Sequence, residues 1–120
     1  MTTIDRDTDT LVAEWLTLSE AADRLHTSES RVKQLLRDHK LIGAQRIEDG
    51  IAIPAAFISG GQVVKGLHGT LILLADCGFT DEESLRWLFT ADDTLPGKPI
   101  EAICENRGTE VRRRAQALAI

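Results

Sequence analysis

Between Ser28 and Arg46 the chain reads SESRVKQLLRDHKLIGAQR, with charged and amide side chains on a helical spacing. Ser30, Arg31, Lys33, Gln34 and Arg37 interleave with Val32, Leu35 and Leu36. At about 100° per residue the three apolar positions share one helix face and the five polar ones the other. Arg can grip the O6 and N7 acceptors of guanine, and Gln the N6 and N7 groups of adenine. Lys suits a phosphate oxygen. The chemistry open to this face is base-edge readout, weighed against a helix face that simply meets water.

Such a face needs elements to hold it. Thr17-Leu18-Ser19-Glu20 is a capping box, and it opens a helix from about Leu18 to Leu25 with Ala21, Ala22 and Leu25 inward. Ser28 is a second N-cap, and Glu29 suits the positive end of the helix that follows, over residues 29–38. Two short helices on a tight turn make a helix-turn-helix. Beyond Leu41 the pattern becomes extended. Asp49-Gly50 between Gln45–Glu48 and Ile51–Ile53 signals a β-hairpin, a wing placed directly after the polar helix. Adding the wing turns the balance toward a DNA-reading helix, because helix and wing together match a known docking geometry.

The rest of the chain reads as helices. They cover Val64 to Asp76, Thr80 to about Phe89, Pro99 to about Glu105 and about Glu110 to Ala119. Leu67, Leu71 and Leu74 form the inward stripe of the first of these, with Ile72 and Ala75 widening it. Val111, Ala115 and Leu118 form that of the last, and Gly78 is a natural left-handed terminator. The expected fold is mainly α: a flexible acidic tail at 1–14, a winged helix-turn-helix at 15–58 and a helical C-terminal domain at 59–120.

Charge is distributed unevenly. The 120-residue chain carries net charge −5 and pI about 5.1. Residues 1–14 contribute −3 and residues 59–120 contribute −2, whereas 28–46 alone is +3. A local positive field can therefore exist on an acidic protein. The N-terminus lacks an apolar signal segment, and the longest apolar run, Leu71 to Ala75, is far too short to span a bilayer. A cytoplasmic protein without membrane contact is expected.

Other chemistry finds little support. Cys77 and Cys104 stand apart, and with His26, His39 and His68 they do not make a metal-ligand spacing. No cofactor is implied. Ser, His, Cys and Asp form no catalytic signature, so an enzyme is not expected. Gly61-Gln62-Val63-Val64-Lys65-Gly66 superficially suggests a phosphate loop, but Leu67 and His68 stand where Lys and Ser/Thr are required. Its glycines read as a linker and a close helix approach. Arg112, Arg113 and Arg114 spread over about 200° of a helix and cannot share one phosphate. Thr8 and Thr10 lie in the acidic N-terminal stretch, accessible to a kinase if that stretch is mobile.

The stretch LTLSEAADRLHTSESRVKQLLRDHKLIG resembles the winged helix-turn-helix of the MerR/excisionase type through Thr17, Glu20-Ala21-Ala22, Ser28 and Leu41. Beyond it, Gly61–Lys65, Arg86-Trp87-Leu88-Phe89-Thr90 and Val111–Ala117 are similar to an actinobacterial family of small winged-helix DNA-binding proteins with a helical C-terminal domain. The resemblance implies binding to double-stranded DNA, in transcriptional regulation or nucleoid association. Arg31, Lys33, Gln34 and Arg37 would lie in the major groove, with Ser30 and Arg46 at the backbone. A mycobacterial member is a Ser/Thr protein kinase substrate, which makes a kinase a candidate partner and Thr8 and Thr10 candidate phosphorylation sites. Two departures stand out: His26 replaces the usual turn glycine, and the wing tip Glu48-Asp49 is acidic. The alternative is an antitoxin-like protein-interaction module using the C-terminal helices, with Trp87 and Phe89 on a partner surface.

Overall fold

The structure is a computed structural model and describes residues 3–46, 50–91, 97–105 and 108–118. Local signals explain the helix-turn-helix directly. Thr17 N–H donates to Glu20 Oε1 at 2.9 Å, and Glu20 N–H donates to Thr17 Oγ1 at 3.1 Å. This reciprocal cap starts α2 (Leu18–Arg24) and holds the Glu20 carboxyl below its ordinary pKa, chiefly through the Thr17 backbone N–H. Ser28 Oγ accepts from Arg31 N–H at 3.2 Å and starts α3 (Glu29–Arg37).

Both helices end the same way. Thr27 N–H reaches Ala22 O at 3.0 Å and His26 N–H reaches Asp23 O at 3.2 Å. After α3, Lys40 N–H reaches Leu35 O at 3.0 Å and His39 N–H reaches Leu36 O at 3.3 Å. These are paired Schellman bonds, and they place His26 at φ 56° and His39 at φ 58°. Histidine thus takes the left-handed position twice where glycine is usual.

A three-stranded antiparallel sheet closes this unit. Its order is β1 (Trp15–Thr17), β3 (Gly50–Pro54), β2 (Ala44–Arg46). Leu16 faces Ile53 across one ladder and Gln45 faces Ile51 across the other. The β2–β3 hairpin is the expected wing. Gly50 takes φ 69° at the start of β3, while Ile47, Glu48 and Asp49 at the tip lie outside the described residues. Strand β1 is too short to leave an alternating pattern of its own.

The first fourteen residues depart from the expected flexible tail. Asp5 caps a helix α1 (Arg6–Leu11), accepting from Thr8 N–H at 2.8 Å. Ile4, Thr8 and Val12 are buried. Six residues cannot sustain a helix in water, so tertiary contacts hold it. Ile4 N–H bonds Gln45 O at 2.9 Å on the wing, and Asp5 N–H bonds Glu82 Oε1 at 3.2 Å on the C-terminal domain. The acidic composition had suggested disorder, but a few apolar residues docked on existing surfaces suffice.

After a 3₁₀ turn (Ala55–Phe57), Ile58-Ser59 (β4) and Gln62-Val63 (β5) pair through a Gly60-Gly61 turn with φ 61° and 80°. Two consecutive left-handed glycines favour a hairpin of this hand, so this segment is a hairpin and not the expected linker. The helices α4 (Leu67–Asp76), α5 (Asp81–Leu88), α6 (Pro99–Cys104) and α7 (Gly108–Ala117) follow. The close approach expected of the glycines does occur, since a Cβ on Gly66 would stand 3.8 Å from the Gly108 Cα. Leu67, Leu71, Leu74, Leu85, Leu88, Ile103 and Val111 are buried in a core continuous with that of the winged unit. Ile72, Ala75 and Leu118 are exposed, so the inward faces of α4 and α7 are narrower than their apolar stripes.

Candidate nucleic-acid interface

Helix α3 is anchored by Val32, fully buried, and Leu35, 8% exposed, with Leu36 half-buried beside them. Ser30, Arg31, Lys33, Gln34 and Arg37 are all exposed. From the helical repeat these five span an outward arc of about 160°. Arg31 Nη1 donates to Gln34 Oε1 at 3.1 Å, which aligns two groups capable of reading base edges. Exposed Lys40 follows immediately after the His39 turn and adds positive charge at the far end of the helix. Helical spacing alone does not place Lys40 with that face; the turn does, since the Lys40 N–H reaches back to Leu35 O at 3.0 Å.

Arg46 sits apart from that face. Its Nε and Nη2 donate to Asp9 Oδ2 and Oδ1 at 2.9 and 3.2 Å. The guanidinium carbon lies 5.3 Å from the Trp15 ring centre, a cation–π distance. Trp15 Nε1 in turn donates to the Asp9 carbonyl at 3.3 Å. The wing arginine is thus clamped by the N-terminal helix, half-buried, and an open phosphate contact is not its resting arrangement.

Thr8 and Thr10 separate equally clearly. Thr8 is fully buried and its Oγ1 accepts from Arg86 Nη2 at 3.0 Å, which corrects the expectation that it lies in an accessible tail. Thr10 is exposed and its Oγ1 donates to Arg6 O at 2.7 Å. Arg86 also contacts Asp5 Oδ2 at 3.3 Å. The Asp5 carboxyl is held below its ordinary value, first by the Thr8 backbone N–H, with the Thr8 hydroxyl and Arg86 adding to it.

The aromatic residues of the alternative reading are part of the core. Phe89 is 5% exposed and its ring lies 5.7 Å from that of Phe57. Trp87 is half-buried and packs on the same cluster. Among the described residues the large exposed apolar side chains are Ile72 and Leu118, not this pair. Arg112 lies half-buried against the glycines, its Nη2 donating to Thr109 Oγ1 at 3.3 Å, whereas Arg113 points outward.

Cys77 and Cys104 are free thiols. Burial, then Glu101 and Glu105, push the Cys104 thiol up, which disfavours a reactive thiolate. Among the described residues no group of three or more His, Cys, Asp and Glu could hold a metal ion. Among them too, no helix is long and apolar enough to cross a membrane.

Comparison with known proteins matches two stretches of the chain. Residues 3–58 match the family described as DNA-binding protein Rv2175c, wHTH domain. Residues 64–119 match the Rv2175c C-terminal domain of unknown function. A curated relative, DNA-binding protein Rv2175c of Mycobacterium tuberculosis (strain ATCC 25618 / H37Rv), is 38% identical over 115 residues, covering 85% of this chain and 78% of the relative. The NMR structure of Rv2175c superposes with a TM-score of 0.82 at 34% identity, covering 100% of this chain and 87% of that one. The first of these matches begins at residue 3 and so includes the N-terminal helix with the winged unit.

Proposed function

The chain belongs to the Rv2175c family, and from that premise we propose that it binds double-stranded DNA with α3 in the major groove. The observation that carries this reading is the exposed face of α3. Five polar side chains stand outward on a helix anchored by Val32 and Leu35. Arg31 and Gln34 would address base edges, Lys33 and Arg37 the groove walls and phosphates, and Ser30 the backbone. Arg46 would reach a phosphate only by leaving Asp9. Transcriptional regulation or nucleoid association is the cellular role this binding would serve. A Ser/Thr kinase acting on the N-terminal segment would find Thr10 at the surface, whereas Thr8 is enclosed beneath Arg86. Charge added there would oppose DNA binding.

The test is an Arg31→Ala/Lys33→Ala/Arg37→Ala variant, checked for folding by its thermal melt. Affinity for a duplex should fall at least about tenfold, given about 1–3 kcal/mol for each good base contact. The log-affinity against log-salt slope should flatten by about 0.9 for each phosphate contact removed. Unchanged affinity and slope in a folded variant would defeat the reading.

A further inference from the structure

The N-terminal helix holds the one wing cation among the described residues in a geometry that a nucleic acid would also offer. Asp9 meets the Arg46 guanidinium with both carboxylate oxygens, at 2.9 and 3.2 Å. A carboxylate and a phosphate present the same paired acceptors to an arginine fork. The pair is not a loose surface contact, since the two side chains are only 24% and 28% exposed. Trp15 supports it from both sides: its ring lies under the Arg46 guanidinium at 5.3 Å, and its Nε1 bonds the Asp9 carbonyl at 3.3 Å. The segment leading into the helix is fastened to the same wing strand through the Ile4 N–H bond to Gln45 O.

We infer that Asp9 is an intramolecular stand-in for a DNA phosphate, which occupies Arg46 in the free protein and must be displaced before the wing can engage the backbone. The inference rests on the DNA-binding reading and adds its regulation. α3 can engage a duplex with the clamp closed, while exchange of Asp9 for a phosphate at Arg46 adds a backbone contact. The N-terminal helix thereby sets how much the wing contributes.

The experiment measures salt titrations of the full chain with a mixed-sequence DNA duplex, from about 50 to 200 mM salt, where such slopes are well resolved. Asp9→Asn removes the carboxylate that holds both Nε and Nη2 of Arg46, so its slope should steepen by about 0.9 relative to the unmodified protein, with tighter binding at the low-salt end. Asp9→Asn/Arg46→Ala should return to the original slope. Arg46→Ala alone should leave the slope where it was, because Asp9 already neutralises that charge. Asp7→Asn, on the same helix and exposed, makes the same change in net charge without touching the clamp and should not steepen the slope.

Three results would overturn the inference: an unchanged slope in Asp9→Asn, an equal steepening in Asp7→Asn, or a flattened slope in Arg46→Ala alone. Where Asp9→Asn fails to fold, the Arg46 Nε resonance of the unmodified protein decides. It should stay in place on adding duplex, because Asp9 keeps its hold while α3 binds, and a resonance that shifts with the duplex overturns the claim that Asp9 withholds Arg46. Failure of the DNA reading looks different, for then the α3 triple variant matches the unmodified protein throughout.

Discussion

At the scale of single residues, Gly43 shows how a backbone contact can dictate a side chain. Gly43 leads into β2, and its position faces the β3 backbone. A Cβ there would stand 2.5 Å from the Ala52 carbonyl oxygen and 3.4 Å from Ile53 Cγ1. The first contact is with backbone that already pairs across the wing, so no side-chain rotation relieves it. Gly43→Ala should therefore destabilise the protein by about 1–3 kcal/mol, the usual cost of overpacking. A urea melt checks this, and a midpoint within error of the unmodified protein would show that the strand gives way freely. Nothing in the sequence marks this glycine, since its requirement comes from a strand that arrives nine residues later.

At the scale of elements, helix starts were legible and some ends were not. The caps at Thr17, Ser28 and Thr80 each rest on a side chain bonding three residues ahead, a signal contained within four letters. The outward face of α3 was legible for a similar reason, since its periodicity is local. The N-terminal helix was not, because its stability comes from Gln45 and Glu82, which no local pattern reveals. The clamp on Arg46 was hidden for the same reason, with its carboxylate 37 positions away. Histidine at the helix ends lies between these cases: His26 stood out because glycine is usual there, whereas His39 makes the same turn unannounced. That turn can be tested. A left-handed non-glycine residue costs about 1 kcal/mol or more, and glycine gives back about half of that through its unfolded-chain entropy. His39→Gly should gain about 0.5 kcal/mol, or about 2–3 °C in Tm. A lowered Tm would mean that the His39 side chain contributes more than its backbone costs.

At the scale of the whole molecule, the N-terminal segment ties the winged unit to the C-terminal helices. One end reaches the wing through Ile4 and Asp9, and Asp5 reaches α5 through Arg86 and Glu82. Asp5 makes that tie sensitive to acid. Its carboxyl titrates below the ordinary value of 3.8, chiefly because the Thr8 backbone N–H bonds the ionised form, against a weaker opposing push from burial. The sign follows from linkage: a carboxyl whose folded pKa is lowered stabilises the fold fully above its unfolded pKa. That contribution disappears as pH falls through the lowered folded value. At neutral pH the tie is intact, and acidification below the ordinary carboxylate range should loosen residues 4–9 from α5 before the core unfolds. Carboxyl-carbon NMR of Asp5 should titrate below 3.8, with amide protection of the segment lost over the same interval. Asp5→Asn should show reduced protection already at neutral pH and no further loss in that interval. If Asp5 titrates at or above its ordinary value, or if protection persists through its titration, this carboxylate is not what holds the segment to the C-terminal domain.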